Sequence, residues 1–175
     1  NFLPAFLVRS HGIEGWSLGV VMAFGCGGAG MVGTFLGGRI ADRMGAGEAR
    51  WYLWLPAIAS TLALPLVFPM LLLDATAFAI GAMVVVTMLT NTYLGPSLAT
   101  CHRLVPPSMR ALTSAILFFV LNLIGLGCGP PLAGALSDIL GQTYGSDGLR
   151  YALMIVALIS GTGVGFFVLA ARQLP

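Results

Sequence analysis

Arg39, Asp42 and Arg43 form the densest cluster of charge in the chain, two guanidinium groups and one carboxylate within five residues. Such a set can make and break ion pairs, and no nucleophile lies beside it. The stretch that holds it runs Gly33-Thr-Phe-Leu-Gly-Gly-Arg-Ile-Ala-Asp-Arg-Met-Gly45. It recurs 96 residues later as Gly129-Pro-Pro-Leu-Ala-Gly-Ala-Leu-Ser-Asp-Ile-Leu-Gly141, with five of thirteen positions identical. The second copy keeps Asp138 but carries Ala135 and Ile139 where the first has Arg39 and Arg43. Other chemistry is sparse. His11 and His102 flank different loops, and there is no Ser-His-Asp candidate, P-loop or G-x-S-x-G elbow. Cys26, Cys101 and Cys128 are widely spaced in apolar surroundings, which predicts small buried hydrophobes rather than a metal site or disulfide framework. No catalytic residues, no metal and no organic cofactor are expected.

The elements that must position these residues follow from composition. The chain is 58% hydrophobic and 8% charged, without lysine, against about 25% charged in a soluble domain. Six acids and eight arginines in 175 residues cannot form a polar shell, so lipid must cover the surface. A net charge of +2 is too small and dispersed to suggest nucleic acid. The sequence opens at Asn1 inside an apolar run without a signal-peptide n-region, and is expected to be a piece of a longer protein.

Charge-free runs lie at 1–8, 15–38, 51–73, 75–102, 111–137 and 151–171. Five approach or exceed the roughly 20 residues that cross a bilayer as a helix; the first reads as a partial span. Open strands cannot satisfy their edges in lipid, so an all-α polytopic membrane protein is predicted. One alternate set of loops holds Arg39, Arg43, Arg50, Arg103, Arg110 and Arg172, and the other holds only Arg9 and Arg150, with Asp74 alone in the tightest connection. The positive-inside rule places the first set, and the C-terminus, in the cytoplasm. Three crossings then separate the two copies, which makes them an inverted repeat of the 3+3 kind that transporters use. Loss of both arginines from the outer copy is the same charge rule acting on a duplicated element.

Gly25, Ala29, Gly33 and Gly37 recur every four residues, as do Gly125, Gly129, Ala133 and Ser137. Small residues at this spacing let helix backbones approach closely in lipid; either ladder alone reads as static helix packing, while the matched pair suggests surfaces that slide or rock against a partner. Pro56, Pro65 and Pro69 are expected to interrupt the third span, Pro96 the fourth and Pro130–Pro131 the fifth. Thr87, Thr90 and Asn91 fall on one arc of the fourth span, with Tyr93, Ser97 and Thr100 flanking it. Ser114, Phe118 and Asn122 follow at four-residue spacing in the fifth. These polar groups predict either interhelical hydrogen bonds or a wet cavity. No charge lies deep in any span, so a carboxylate for proton coupling is expected outside this chain.

Gly38-Arg-Ile-Ala-Asp42-Arg43-Met-Gly45 matches the G-x-x-x-D-R-x-G loop signature of the major facilitator superfamily, with Ala46-Gly47 in place of the basic pair that often follows. Gly125-x-x-x-Gly129-Pro130-x-x-Ala133-Gly134 resembles that superfamily's G-x-x-x-G-P-x-x-G-G helix motif, with Ala for one Gly. Gly95-Pro96, Leu104-Val-Pro-Pro-Ser-Met-Arg110-Ala and Asn122-Leu-Ile-Gly-x-Gly-x-Gly-Pro resemble the C-terminal half of Spinster-type transporters. The resemblance implies helices seven to twelve of twelve, the seventh truncated, with the second and fifth spans bordering an N-terminal half. It also implies alternating-access transport of an amphipathic solute such as a lysolipid, coupled to protons through that other half; drug or metabolite export and a non-transporting scaffold are the alternatives. Phe2, Phe6, Thr87, Thr90, Asn91, Tyr93, Phe118 and Asn122 are the expected substrate-cavity residues. Gly38, Arg39, Asp42, Arg43 and Gly45 are the expected conformational latch, Asp42 capping a helix start or pairing with arginine while the glycines permit a tight turn. The expected setting is a monomer in the cell membrane, in contact with lipid and with its own N-terminal half.

Overall fold

The computed structural model describes residues 3–13, 15–73, 75–145 and 148–173, with the side chains of residues 9–11 outside the described set. Phe2 and Asp74 also fall outside it. The described residues form helices and short connections, as expected for apolar segments whose backbone groups must be satisfied internally. We number the helices α1 (Leu3–His11), α2 (Gly15–Gly45), α3 (Trp51–Leu72), α4 (Thr76–Arg103), α5 (Pro107–Tyr144) and α6 (Gly148–Gln173). All but α1 are long and apolar enough to cross a membrane. The helices overrun several charge-free runs: α2 continues through Arg39, Asp42 and Arg43 to Gly45, and α5 continues through Asp138 to Tyr144. Helices extend past the hydrocarbon layer where polar side chains can reach its surface. Both repeat copies therefore end helices instead of forming loops.

The prolines act differently from one another. Pro56, Pro65 and Pro69 lie inside an uninterrupted α3, which corrects the expected break. In α4, Pro96 has no N–H to offer the Thr92 carbonyl, and regular helix lapses between Asn91 and Leu94. Thr92 turns the chain there, its amide and hydroxyl both bonding the Leu89 carbonyl at 3.3 and 2.7 Å. In α5, Pro130 and Pro131 cannot donate to the carbonyls four residues upstream, and the π-helical stretch Leu123–Cys128 covers those positions. A second π-helical stretch, Val21–Gly28, lies in α2. Each sits just before its copy of the thirteen-residue repeat.

α3 packs against α6 and α4, and α2 against α4. At one end of the molecule Phe6 and Leu7 of α1 join Met70, Leu71, Met83 and Leu149 in a buried apolar cluster. The opposite end gathers the C-termini of α2 and α4 with the N-termini of α3 and α5, and Arg39, Arg43, Arg50, Arg103 and Arg110 with them.

The glycine ladder of α2 is longer than its four expected members. Gly25, Ala29, Gly33, Gly37, Ala41 and Gly45 are all buried. A methyl group on Gly33 would land on the Met88 carbonyl oxygen, and one on Gly37 on the Thr92 backbone. Farther along, a methyl on Gly95 would lie 3.3 Å from the Gly38 Cα. Gly33 and Gly37 thus form a backbone-to-backbone seam with α4, inside the same bundle, while Gly45 meets α3. This corrects the expectation that the ladder forms a surface rocking against another half. The α5 ladder differs: Ala133 is buried and Ser137 half-buried, but Gly125 is exposed, and a methyl group on Gly125 or Gly129 would meet nothing within 4 Å.

Candidate functional site

The arginine-rich end contains a three-residue cluster built around a phenol. Tyr52, in the first turn of α3, donates its hydroxyl proton to Asp42 Oδ1 at 2.9 Å. The Tyr52 hydroxyl oxygen in turn accepts from an Arg103 guanidinium nitrogen at 2.9 Å, and the Arg103 Cζ lies 4.2 Å from the Tyr52 ring centroid. Donating to an anion and accepting from a cation polarises one hydroxyl in both directions, so each bond strengthens the other. The cation over the ring face adds a further attraction. Asp42 comes from α2, Tyr52 from α3 and Arg103 from α4, so the cluster ties three helix ends together.

Gly45 has a steric part in this. It shows no positive φ, and a side chain there would land on the Tyr52 ring. The glycine clears room for the phenol, which corrects the expected tight-turn role. Asp42 likewise sits in the last turns of a helix and takes Tyr52 as partner, in place of the helix-start cap or arginine pairing expected. Arg39 and Arg43 are exposed, and with Thr34, Phe35, Gly38 and Asp42 they line an open groove of about 670 Å³. Beside the cluster, His102 and Ser114 join α4 to α5 at 2.7 Å. The Ser114 hydroxyl also lies 3.1 Å from the Arg110 carbonyl; when it donates there, the imidazole in its Nε2–H tautomer is the donor between the two side chains.

The inverted repeat is visible in these contacts. Adding 96 to Gly45 and Tyr52 gives Gly141 and Gly148, and a side chain on Gly148 would strike the Gly141 backbone, 2.7 Å from its Cα. Each copy's closing glycine therefore packs against the start of the next helix. In the second copy glycine replaces the phenol, and exposed Asp138 has no tyrosine at the corresponding position.

The expected cavity residues do not share one surface. Thr87 faces α2, its hydroxyl 4.0 Å from Cys26 Sγ. Asn91, one turn on, lines a groove of about 600 Å³ between α2 and α4 with Cys26, Gly30, Met31, Thr34 and Phe35. Its amide nitrogen donates to the Thr87 carbonyl at 2.8 Å, which leaves the side-chain oxygen as an acceptor. Thr90 points the other way, into a cavity of about 420 Å³ bounded by α3 and α6. Tyr93 lies within the break in α4 and lines a third cavity, of about 400 Å³. The single arc fails because residues 87 and 91 are one turn apart while 90 is rotated by a helical step, and the break reorients the residues beyond Asn91. Phe118 and Asn122 are exposed on α5, with the Asn122 amide bonded to the Phe118 carbonyl at 2.7 Å. Phe6 is 1% exposed; it sits in the apolar core cluster, packed with residues of α3, α4 and α6.

Tyr52 and Arg103 were not among the expected latch residues. Arg103 counted only toward topology, and the Tyr52 signal lay in the repeat offset: position 52 corresponds to a glycine in the copy that lacks arginines.

No protein-family model matches the chain. Over 174 residues it is 32% identical to an MFS-type (major facilitator superfamily) efflux pump of Mycolicibacterium smegmatis, a match covering 99% of this chain and 40% of that protein. Its fold is similar to that of a bacterial homologue of the human lysosomal transporter Spinster in an inward-facing and occupied conformation, with a TM-score of 0.86 at 22% identity over 99% of this chain and 45% of that one. The inward-facing and unoccupied conformation gives the same TM-score of 0.86 over 43% of its chain. The chain thus spans less than half the length of the relatives it matches. It is similar to these transporters over nearly all of its own length, and its fold is that of one half of the Spinster homologue.

Proposed function

We propose that this chain is the C-terminal half of a secondary transporter that exports an amphipathic solute by alternating access. The observation that carries the reading is the groove between α2 and α4. Its walls are apolar, Thr34 and Asn91 are its polar groups, and it is open on the side where Met31 and Phe35 are 73% and 65% exposed. A few placed polar groups in an apolar cleft suit a solute with one polar end. Closing the groove takes a second set of helices, which we assign to the N-terminal half. The efflux designation of the Mycolicibacterium smegmatis relative supports outward movement.

In this reading the Asp42–Tyr52–Arg103 cluster fastens one end of the half, and Arg39 and Arg43 meet the other half during the cycle. Proton coupling is assigned to that other half, since the charged residues described here lie toward helix ends. The C-terminus is assigned to the cytoplasm from the arginine bias. Flux into proteoliposomes holding the full-length protein tests the reading, with a lysophospholipid and an uncharged hydrophobic drug assayed separately. Transport of either, reduced by Asn91→Leu, supports it. Lysolipid flux alone favours a lipid transporter and drug flux alone a drug exporter. Flux of neither, by a folded protein under a proton gradient of either sign, overturns it.

A further inference from the structure

The Asn91 side chain on the wall of the α2–α4 groove is held in one orientation by its neighbours. The Thr87 carbonyl, 2.8 Å from the amide nitrogen, can only accept, so the nitrogen is turned toward it and the oxygen away. A methyl group on Gly30 would lie 3.7, 3.7 and 3.8 Å from Asn91 Cγ, Nδ2 and Oδ1. A point nearly equidistant from three atoms of a planar group lies over its face, so the amide lies flat against α2. Among the described residues no donor engages Oδ1, and the Ser97 hydroxyl is the sealed side-chain polar atom left without a partner. The Asn91 oxygen is therefore unpaired and reachable from the groove it lines.

The surrounding groups bias the groove in the same direction. The Thr34 proton has two carbonyls to bond, Gly30 at 2.9 Å and Asn91 at 3.4 Å; given to either, it leaves the hydroxyl oxygen as an acceptor. No charged side chain lines this groove. Arg39 and Arg43 line the adjoining one, which shares Thr34 and Phe35, and Arg39 lies about 14 Å beyond Gly30 along α2. A charged head group finds its partner at that end, which leaves a neutral group to be read at Asn91. Asn91 is also the sixteenth residue of the 28-residue α4, near the middle of the span. Water serves its oxygen while the groove is open. Once a second set of helices closes the groove, the oxygen must bond the solute or go unpaired, and a buried unpaired acceptor is costly. A site built on such a group rejects an analogue that lacks the matching one.

We propose, resting on the transport reading of this groove, that Asn91 is a specificity-determining residue and requires a neutral hydrogen-bond donor on the solute. A hydroxyl suits it well, because the amide keeps one further N–H and a hydroxyl both gives and accepts. An ether only accepts, and would leave Oδ1 unpaired.

The test is photolabelling of the full-length protein in nanodiscs by hexadecanol bearing a diazirine in its alkyl chain, read by mass spectrometry of the α2 peptide around Met31 and Phe35. At equal mole fraction in the membrane, unmodified hexadecanol should compete about fivefold better than its methyl ether, the value of one hydrogen bond. In Asn91→Leu the two should compete equally. The ratio in the unmodified protein keeps the test open should the variant not fold. Equal competition by alcohol and ether in the unmodified protein, a preference that survives in Asn91→Leu, or no labelling of the α2 peptide would each overturn the proposal. The readout is binding, so absent flux with the preference intact would count against the transport reading alone.

Discussion

Adding a single methyl group to the α2 ladder tests how this half is held together. At Gly33 the methyl would land on the Met88 carbonyl oxygen, with Met88 Cα at 3.0 Å, and at Gly37 it would land on Thr92, with Thr92 Cα at 2.7 Å. Neither obstacle is a flexible side chain, so α2 and α4 must move apart. Overpacking of this kind costs about 1–3 kcal/mol, while replacing a helical glycine by alanine returns about 0.5–1 kcal/mol. Gly33→Ala and Gly37→Ala should therefore each be destabilising by a net of roughly 1–2 kcal/mol. A methyl on Gly81 or Gly165 would meet nothing within 4 Å, so alanine there should be neutral or stabilising. Thermal unfolding of the full-length protein in detergent reads the difference. If Gly33→Ala and Gly37→Ala unfold no earlier than Gly165→Ala, the seam is not a fixed contact. The ladder would then be free to serve as the moving surface its spacing suggests.

Three further outcomes are expected. Tyr52→Phe keeps the ring against Gly45 but loses the hydroxyl shared by Asp42 and Arg103; it should cost about 1–2 kcal/mol, discounted for the exposure of its partners, by the same unfolding measurement. Gly148→Ala should destabilise the α5–α6 junction because the new methyl meets the Gly141 backbone, seen as earlier proteolysis between those helices. Ser114→Ala removes the hydrogen-bond partner of His102 and should cost about 1 kcal/mol, with a changed His102 imidazole signal in NMR.

The length of the charge-free runs was sufficient for the helical bundle, because a 20-residue apolar run in lipid has few alternatives. The four-residue ladder likewise announced a close helix contact, although spacing says nothing about which neighbour fills it. Helix ends are harder to place, because Arg39, Asp42 and Arg43 end the apolar run without ending the helix. Their side chains reach the surface while the backbone stays helical. The cavity residues scattered because a face inferred from helical angle is lost at the Pro96 break, and because residues 90 and 91 of one helix point to different neighbours. The phenol at the centre of the charged cluster had no motif of its own. Only the duplicated chain, comparing Tyr52 with Gly148, distinguished it.

If the Asp42–Tyr52–Arg103 cluster at the arginine-rich end governs movement of this half, its effect appears most directly in solute flux. The measurement uses the full-length protein and its Tyr52→Phe variant in proteoliposomes, once a transported solute is in hand. Loss of the shared hydroxyl should lower flux roughly tenfold, which corresponds to about 1.4 kcal/mol in the rate-limiting barrier, at unchanged membrane insertion. Flux equal to that of the unmodified protein would contradict a governing role for the cluster.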